Sequence, residues 1–191
     1  AGARCCLVLG DNMFHGEQLS YLLWDAAQQE SGATIFGYPV SNPRAYGVVE
    51  FDENNRVLSI EEKPEHPKSN YAVPGLYFYD GKAVELAKTL KPSARGELEI
   101  TALNEEYLKR GELRVGLMTR GMAWLDTGTP EGMLNAAQYV EAVQSRQGLY
   151  IACPEEIAWS KGFITTEQLY AIGNDLKMTE YGQYLLSLGK K

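Results

Sequence analysis

Apolar and polar positions in the first 130 residues follow the two periods that strands and helices impose. Leu19, Leu22, Leu23 and Ala26 share one face at helical spacing, whereas short apolar or alternating runs bounded by polar turns indicate strands. The predicted strands are 5–10, 33–40, 47–52, 56–61, 73–79, 113–118 and 123–125, and the predicted helices are 19–30, 82–90 and 101–110. We expect the first of these strands to be buried, because residues 5–10 are almost entirely apolar.

Helical patterns alone follow residue 130, over 131–147, 153–160, 165–171 and 179–188. Alternating strands and helices are typical of α/β folds. The sequence therefore predicts an α/β fold with a mixed, mostly parallel sheet and helices on both faces, followed by a small helical C-terminal region. We place the division at residues 1–135 and 136–191.

Composition and charge narrow the class of protein. Apolar residues make up 45% and charged residues 23% of the chain, as in globular domains. The net charge of -7 argues against nucleic acid as a partner. No apolar run reaches the roughly 18 residues of a membrane span, and the N-terminus is not of signal-peptide type. Cys5, Cys6 and Cys153 suggest neither a zinc site nor a disulfide framework, so we expect a cytoplasmic protein without a membrane partner.

Two aspartates are the strongest candidates for chemistry. Asp11 follows the first predicted strand in Gly10-Asp11-Asn12, and Asp126 ends another before Gly128. Ligands of open α/β sheets gather at the carboxyl ends of strands, where two carboxylates could hold Mg²⁺. Each aspartate could equally cap a turn or a helix, and the spacing does not decide between these interpretations.

Three further segments carry weaker signals. Glu62 and Lys63 end a predicted strand, where a lysine could meet a phosphate and a carboxylate could bind sugar hydroxyls; a solvated charge cluster is the alternative. Gly47, after Tyr46, would let a ligand approach the backbone, although most such glycines only shape turns. Arg95 lies in a predicted loop, where it is either solvated or functional.

The order of these segments carries a resemblance to a known family. LGDN, YGVVEFD, EEKP, SNYAVPGLYFYD, KPSARGELEIT and AWLDTGT, in register, are similar to the sugar nucleotidyltransferases, and most of all to the branch that acts on glucose 1-phosphate with dTTP. The resemblance runs from about Cys6 to Gln183. It implies a Rossmann-like nucleotidyltransferase core that is N-terminally incomplete here, because the family's glycine-rich GGxGTR loop precedes LGDN. Pro74 and Ala102 depart from the family pattern, which commonly has Thr and Asp there.

The resemblance also implies roles for individual residues. Asp11 and Asp126 correspond to the pair that binds catalytic Mg²⁺, and Lys63 and Arg95 to cations that contact the sugar phosphate. These four residues form the implied catalytic set. The implied substrate-binding residues are Tyr46, Gly47, Glu62, Lys63, Val73, Tyr77 and Arg95.

The implied activity is nucleotidyl transfer from dTTP to glucose 1-phosphate, giving dTDP-glucose and pyrophosphate, as the first step of dTDP-rhamnose-type sugar nucleotide synthesis. A homo-oligomer, most simply a tetramer, is implied as well, with residues 136–191 as an oligomerisation or regulatory region. We expect this chain to be inactive without the glycine-rich segment. The alternatives are uridylyl or adenylyl transfer, and a non-catalytic module that binds sugar nucleotides or acts in regulation.

Overall fold

The structure is a computed structural model that describes residues 2–93 and 96–189. Its contacts divide the chain into two compact units, Ala1–Met133 and Leu134–Lys191. In chain order the elements are β1 (Cys5–Val8), β2 (Asn12–His15), α1 (Leu19–Gln28), β3 (Ala33–Pro39), a 3₁₀ turn (Pro43–Ala45), β4 (Gly47–Phe51), β5 (Val57–Glu62), β6 (Tyr71–Ala72), β7 (Leu76–Tyr79), α2 (Ala83–Thr89), α3 (Ile100–Lys109), β8 (Leu113–Leu117), β9 (Ala123–Asp126), α4 (Pro130–Gln147), α5 (Pro154–Ser160), α6 (Thr166–Asp175) and α7 (Glu180–Leu188).

The first unit is built on a mixed seven-stranded sheet. Its order is β1-β7-β3-β6-β4-β5, with β8 paired to β3. The predicted α/β class and mixed sheet are confirmed, but the expectation of mostly parallel strands is wrong: among the described residues, only β3 and β8 pair in parallel in this sheet. For β4 and β5 the short turn between them is the physical reason, because such a turn can join only antiparallel neighbours. The other antiparallel pairs join strands that lie far apart in the chain, so local sequence signals do not set their direction.

Helices cover both faces of this sheet, as predicted. Ile35 of β3 and Tyr77 of β7 pack with α2 and α3 on one face. Phe36 and Leu76, the next residue of β3 and the preceding residue of β7, pack with α1 on the other face. Successive side chains of a strand point to opposite faces, so β3 and β7 anchor both layers.

Two strands differ from their predictions. The four residues of β1 are exposed rather than buried, because β1 lies at the end of the strand order and pairs through β7 alone in the described sheet. The predicted strand 73–79 is interrupted at Pro74, which is fully buried and cannot donate to a ladder; β6 therefore ends before it and β7 begins after it.

The second unit is helical and has a core of its own. Leu169 and Leu185 are fully buried in it, beside Cys153. Thr165 caps α6 in a capping box with Gln168, and the Thr179 side chain caps α7. Across the described residues, no helix combines the length and apolarity that crossing a bilayer requires.

Candidate active site: an acidic pair beside a cleft

The two candidate aspartates meet at the end of a small antiparallel ribbon. Strands β2 and β9 pair with Asn12 opposite Asp126, and Asp11 directly precedes β2. The backbone N–H of Thr127 donates to the carbonyl of Asp11 at 2.7 Å, and its hydroxyl donates to the same oxygen at 2.9 Å. This pairing brings two residues that are 115 positions apart to the same end of the ribbon.

Their carboxylates converge on Gly128. A Cβ placed there would lie 3.0 Å from Oδ1 of Asp126 and 3.2 Å from Oδ2 of Asp11, and the Gly128 N–H donates to Oδ1 of Asp126 at 2.8 Å. Any larger residue would therefore crowd both carboxylates. We expected a parallel sheet edge to bring these acids together; that route is wrong, because the antiparallel pairing of β2 with β9 does so.

The donor set of this pair suits a hard cation. Mg²⁺ prefers oxygen ligands and is commonly held by one or two carboxylates, with water and substrate phosphates completing its shell. Within residues 2–93 and 96–189, no three His, Cys, Asp or Glu side chains form a cluster that could hold a metal. Asp11 and Asp126 could thus supply two ligands, and the rest would come from water or substrate.

A cleft of about 200 Å³ adjoins this pair, and Asp126 belongs to its wall. Most of the predicted substrate-binding residues line it, although no single strand carries them. The lining residues are Leu9, Asn12, Ala45, Tyr46, Gly47, Glu62, Lys63, Val73, Gly75, Tyr77, Ile100, Thr101, Trp124 and Asp126. Of the predicted site residues, Asp11 lies next to the wall, and Arg95 falls outside the described part of the chain.

Backbone hydrogen bonds around β4 bring the lining residues together. The N–H of Lys63 donates to the carbonyl of Tyr46 at 3.1 Å, and the N–H of Val73 donates to the carbonyl of Gly47 at 2.8 Å. Lys63 itself has φ of 44°, in the left-handed region that costs a non-glycine residue about 1–2 kcal/mol. The ladder between β4 and β5 thus continues to Lys63 just beyond β5.

Glu62 is held in the cleft by its neighbours. The buried hydroxyl of Thr101 donates to Oε2 of Glu62 at 2.6 Å, and a Cβ on Gly47 would lie only 3.2 Å from the same oxygen. Burial, and then the negative charge of Glu62, raise the pKa of the Tyr77 hydroxyl far above its usual value. The Tyr77 hydroxyl, which is protonated at neutral pH even at its ordinary pKa, thus keeps its proton beside Glu62 and can donate a hydrogen bond.

Aromatic rings form another wall. The ring of Trp124 meets that of Tyr46 edge-on at 4.9 Å between centroids, and that of Tyr38 at 5.7 Å. Burial, and then the charge of Asp126, raise the pKa of the Tyr46 hydroxyl. The negative charge of Asp126 therefore acts on the Tyr46 hydroxyl of the aromatic wall.

Asn12, Thr101 and Trp124 have side chains that form hydrogen bonds to other lining residues, and none of the three was predicted as a site residue. Asn12 accepts hydrogen bonds from Trp124 Nε1 at 2.7 Å and from the Gly75 N–H at 2.9 Å, and Thr101 holds Glu62. Two of them could have been identified from their positions next to candidate aspartates. Asn12 directly follows Asp11, and Trp124 lies two residues before Asp126. Thr101 gave no signal beyond the start of a predicted helix.

The fold and the site define a class of protein: an α/β domain that places two convergent carboxylates beside a cleft holding a lysine, as a nucleotidyltransferase needs. A family model described as nucleotidyl transferase matches residues 1–143. The chain belongs to the nucleotidyl transferase family, as its sequence resemblance predicted.

Relatives place the chain more closely within the family. It is 57% identical over 186 residues to a glucose-1-phosphate thymidylyltransferase of Neisseria meningitidis, covering 97% of this chain and 65% of the relative. The corresponding enzyme of Xanthomonas campestris is 54% identical over 190 residues, covering 100% of this chain and 64% of the relative. The chain thus spans somewhat less than two thirds of the length of either relative.

Solved structures agree with the observed fold. A Bacillus anthracis protein, whose name gives it as a glucose-1-phosphate thymidylyltransferase, was solved in complex with sucrose. It superposes with a TM-score of 0.62 at 42% identity, covering 72% of this chain and 55% of that one. A UDP-glucose pyrophosphorylase complexed with UDP-glucose gives a TM-score of 0.60 at 23% identity, over 72% of this chain and 56% of that one, which supports the fold alone.

Proposed function

We propose that the protein takes part in nucleotidyl transfer from dTTP to glucose 1-phosphate, giving dTDP-glucose and pyrophosphate. The observation that carries the proposal is the cleft that Glu62, Lys63 and Asp126, of the acidic pair, line together. The names of the two bacterial relatives support the choice of substrates.

The reaction demands alignment and charge neutralisation more than covalent help. An oxygen of the sugar phosphate attacks the α-phosphorus of dTTP, a new P–O bond forms, and the bond to pyrophosphate breaks. The attacking oxygen is already ionised, so no general base is needed. Lys63 would neutralise the sugar phosphate as it approaches a second polyanion, and Arg95 would be a second cation.

The sugar would be fixed by groups that the cleft already orients. Glu62 presents a carboxylate held by Thr101, and the protonated hydroxyl of Tyr77 is a hydrogen-bond donor on the cleft lining. Carboxylates bind neighbouring sugar hydroxyls well because they accept two hydrogen bonds. When bound by Asp11 and Asp126, Mg²⁺ would neutralise charge on the nucleotide phosphates.

Binding of glucose 1-phosphate to the 191-residue chain tests the sugar half of this proposal. Calorimetry should show a dissociation constant that rises about 10-fold or more in Lys63→Met, because the phosphate of the ligand loses the positive charge of the lysine as a partner. Glu62→Gln should weaken the binding of glucose 1-phosphate and of free glucose alike. Lys63→Met should weaken the binding of the phosphorylated ligand only.

Lys68→Met is the matched control. Lys68 pairs with Glu61 on the surface at 2.6 Å, so its loss should change binding less than twofold. Equal affinities in Lys63→Met and in the unmodified chain would rule out the phosphate site.

The acidic pair is tested separately with Mn²⁺ as a spectroscopic stand-in for Mg²⁺. In the presence of dTTP, electron paramagnetic resonance should show Mn²⁺ affinity reduced by about tenfold or more in Asp11→Asn and in Asp126→Asn, since each loses one anionic ligand. Asp25→Asn, on the exposed side of α1, is the control. Calorimetric competition of UTP and ATP against dTTP compares the affinities of the chain for the three nucleotides. Retained Mn²⁺ affinity in both site variants would refute the pair as a metal site.

We further propose that the protein is a cytoplasmic homo-oligomer, most simply a tetramer. Four of the six aromatic residues in 147–191 pack against the core of the second unit, so they give this proposal no support. Its support comes from Phe163 and Met178, which are 80% and 91% exposed, and in the first unit from Tyr21 and Trp24 on α1, which are 75% and 70% exposed. Sedimentation at micromolar concentration should show association, and a single monomeric species would contradict it.

A further inference from the structure

Asn12 stands between the acidic pair and the cleft and is hydrogen-bonded to both. Its Oδ1 accepts from Trp124 Nε1 at 2.7 Å and from the Gly75 N–H at 2.9 Å. Its Nδ2 donates to Oδ1 of Asp11 at 2.8 Å. One side chain thus connects two walls of the cleft to a carboxylate of the candidate metal site.

The chemistry of its partners fixes the orientation of this amide. An indole N–H and a backbone N–H can only donate, and an ionised carboxylate can only accept. Oδ1 must therefore face Trp124 and Gly75, and Nδ2 must face Asp11. Aspartate would lack the donor and oppose Asp11 with a like charge, and glutamine would be one methylene longer.

The cleft-side partners have little room to move. Trp124 packs edge-on against Tyr46, and Gly75 accepts from the Leu9 N–H at 2.9 Å. A Cβ at Gly75 would lie 2.6 Å from the Leu9 side chain, so the backbone is closely packed at this point. Without Asn12, the indole N–H of Trp124 and the carboxylate of Asp11 would each lose a hydrogen-bond partner.

We propose that Asn12 is a positioning residue for both halves of the site: it holds Trp124 and Gly75 for the sugar phosphate and orients Asp11 for the metal ion. The identity of the two ligands rests on the proposed function. The hydrogen-bonded arrangement itself does not, and the two are tested separately.

The experiment compares the centre of the network with its two ends in the 191-residue chain. Asn12→Ala should lower two affinities by about tenfold each. The first is that for glucose 1-phosphate, measured by calorimetry, and the second is that for Mn²⁺ in the presence of dTTP, measured by electron paramagnetic resonance. Trp124→Phe, which removes one donor on the cleft side, should lower only the affinity for glucose 1-phosphate. Asp11→Asn should lower only the affinity for Mn²⁺. Asn54→Ala, in the exposed turn between β4 and β5, should change neither affinity.

A spectroscopic readout is independent of either ligand. The indole N–H resonance of Trp124, assigned with Trp124→Phe, should move upfield and exchange faster with solvent in Asn12→Ala, because the amide that accepts its proton is gone. A residue that only stabilised the fold would lower the unfolding midpoint without this pattern.

Two results would overturn the role of Asn12: both affinities within about twofold of the unmodified chain in Asn12→Ala, or an unchanged indole resonance in that variant. If the unmodified chain bound no glucose 1-phosphate, the proposed substrate would be wrong, and the indole resonance and Mn²⁺ affinity would still decide the role of Asn12.

Discussion

Gly47→Ala should weaken sugar binding without weakening the fold. The added Cβ would lie 3.2 Å from Oε2 of Glu62 and 3.5 Å from Oγ1 of Thr101, whereas ordinary contacts begin at about 3.4 Å. The Glu62 carboxylate must shift by a few tenths of an ångström, which disturbs its 2.6 Å hydrogen bond from Thr101. Loss of about 1.4 kcal/mol of binding free energy corresponds to a tenfold weaker complex with glucose 1-phosphate.

Stability should move in the opposite direction or stay unchanged. Gly47 lies in β4 at an ordinary negative φ, so alanine restricts the unfolded chain and can stabilise the fold by about 0.4–1 kcal/mol. Calorimetric titration and urea unfolding together separate the two effects. Gly10→Ala is the control, because a Cβ there meets nothing within 4 Å. If Gly47→Ala and Gly10→Ala bound glucose 1-phosphate equally, Glu62 would not form the cleft wall in the way argued above.

Two further predictions concern stability. Burial alone would raise the pKa of Asp80, but hydrogen bonds, first from the Gly32 N–H and then from the Tyr107 hydroxyl, hold it below its usual value. The resulting stabilisation is present above the unfolded pKa of about 3.9 and is lost as the pH falls through the folded pKa. Asp80→Asn should therefore cost about 1–3 kcal/mol in urea unfolding at pH 7 and much less at pH 3; an equal cost at both pH values would contradict this. Leu185→Ala, at a fully buried position of the second unit, should cost about 2–5 kcal/mol, and Lys177→Ala, at an exposed one, under about 0.5 kcal/mol; equal costs would contradict the assigned core.

Local sequence signals predicted most elements but not how the strands pair. The β4–β5 hairpin and the helix over 101–110 were evident from periodicity and turn residues. Strand β2 was not predicted, because its four residues alternate weakly and its partner β9 lies more than a hundred residues further along the chain. The exposure of β1 could not be predicted either. Its apolar composition makes burial favourable but does not show whether another element packs against it.

The candidate site shows the same division. Asp11 and Asp126 could be found because each ends a strand-like run before a glycine, and the family motifs added Glu62 and Lys63. Asn12, by contrast, has two of its three hydrogen-bond partners, Trp124 and Gly75, in distant parts of the chain. A hydrogen bond to an indole 112 positions away leaves no periodicity in the sequence.

The backbone of Lys63 has a consequence for how this protein can be engineered or can evolve. Its positive φ is a conformation that glycine adopts freely and asparagine tolerates, so selection for stability alone would replace the lysine at this position. That replacement would delete the cation from the cleft wall. On the proposed function, libraries screened only for heat resistance should accumulate variants here that fold better and bind phosphate worse, because stability and phosphate binding favour different residues at position 63.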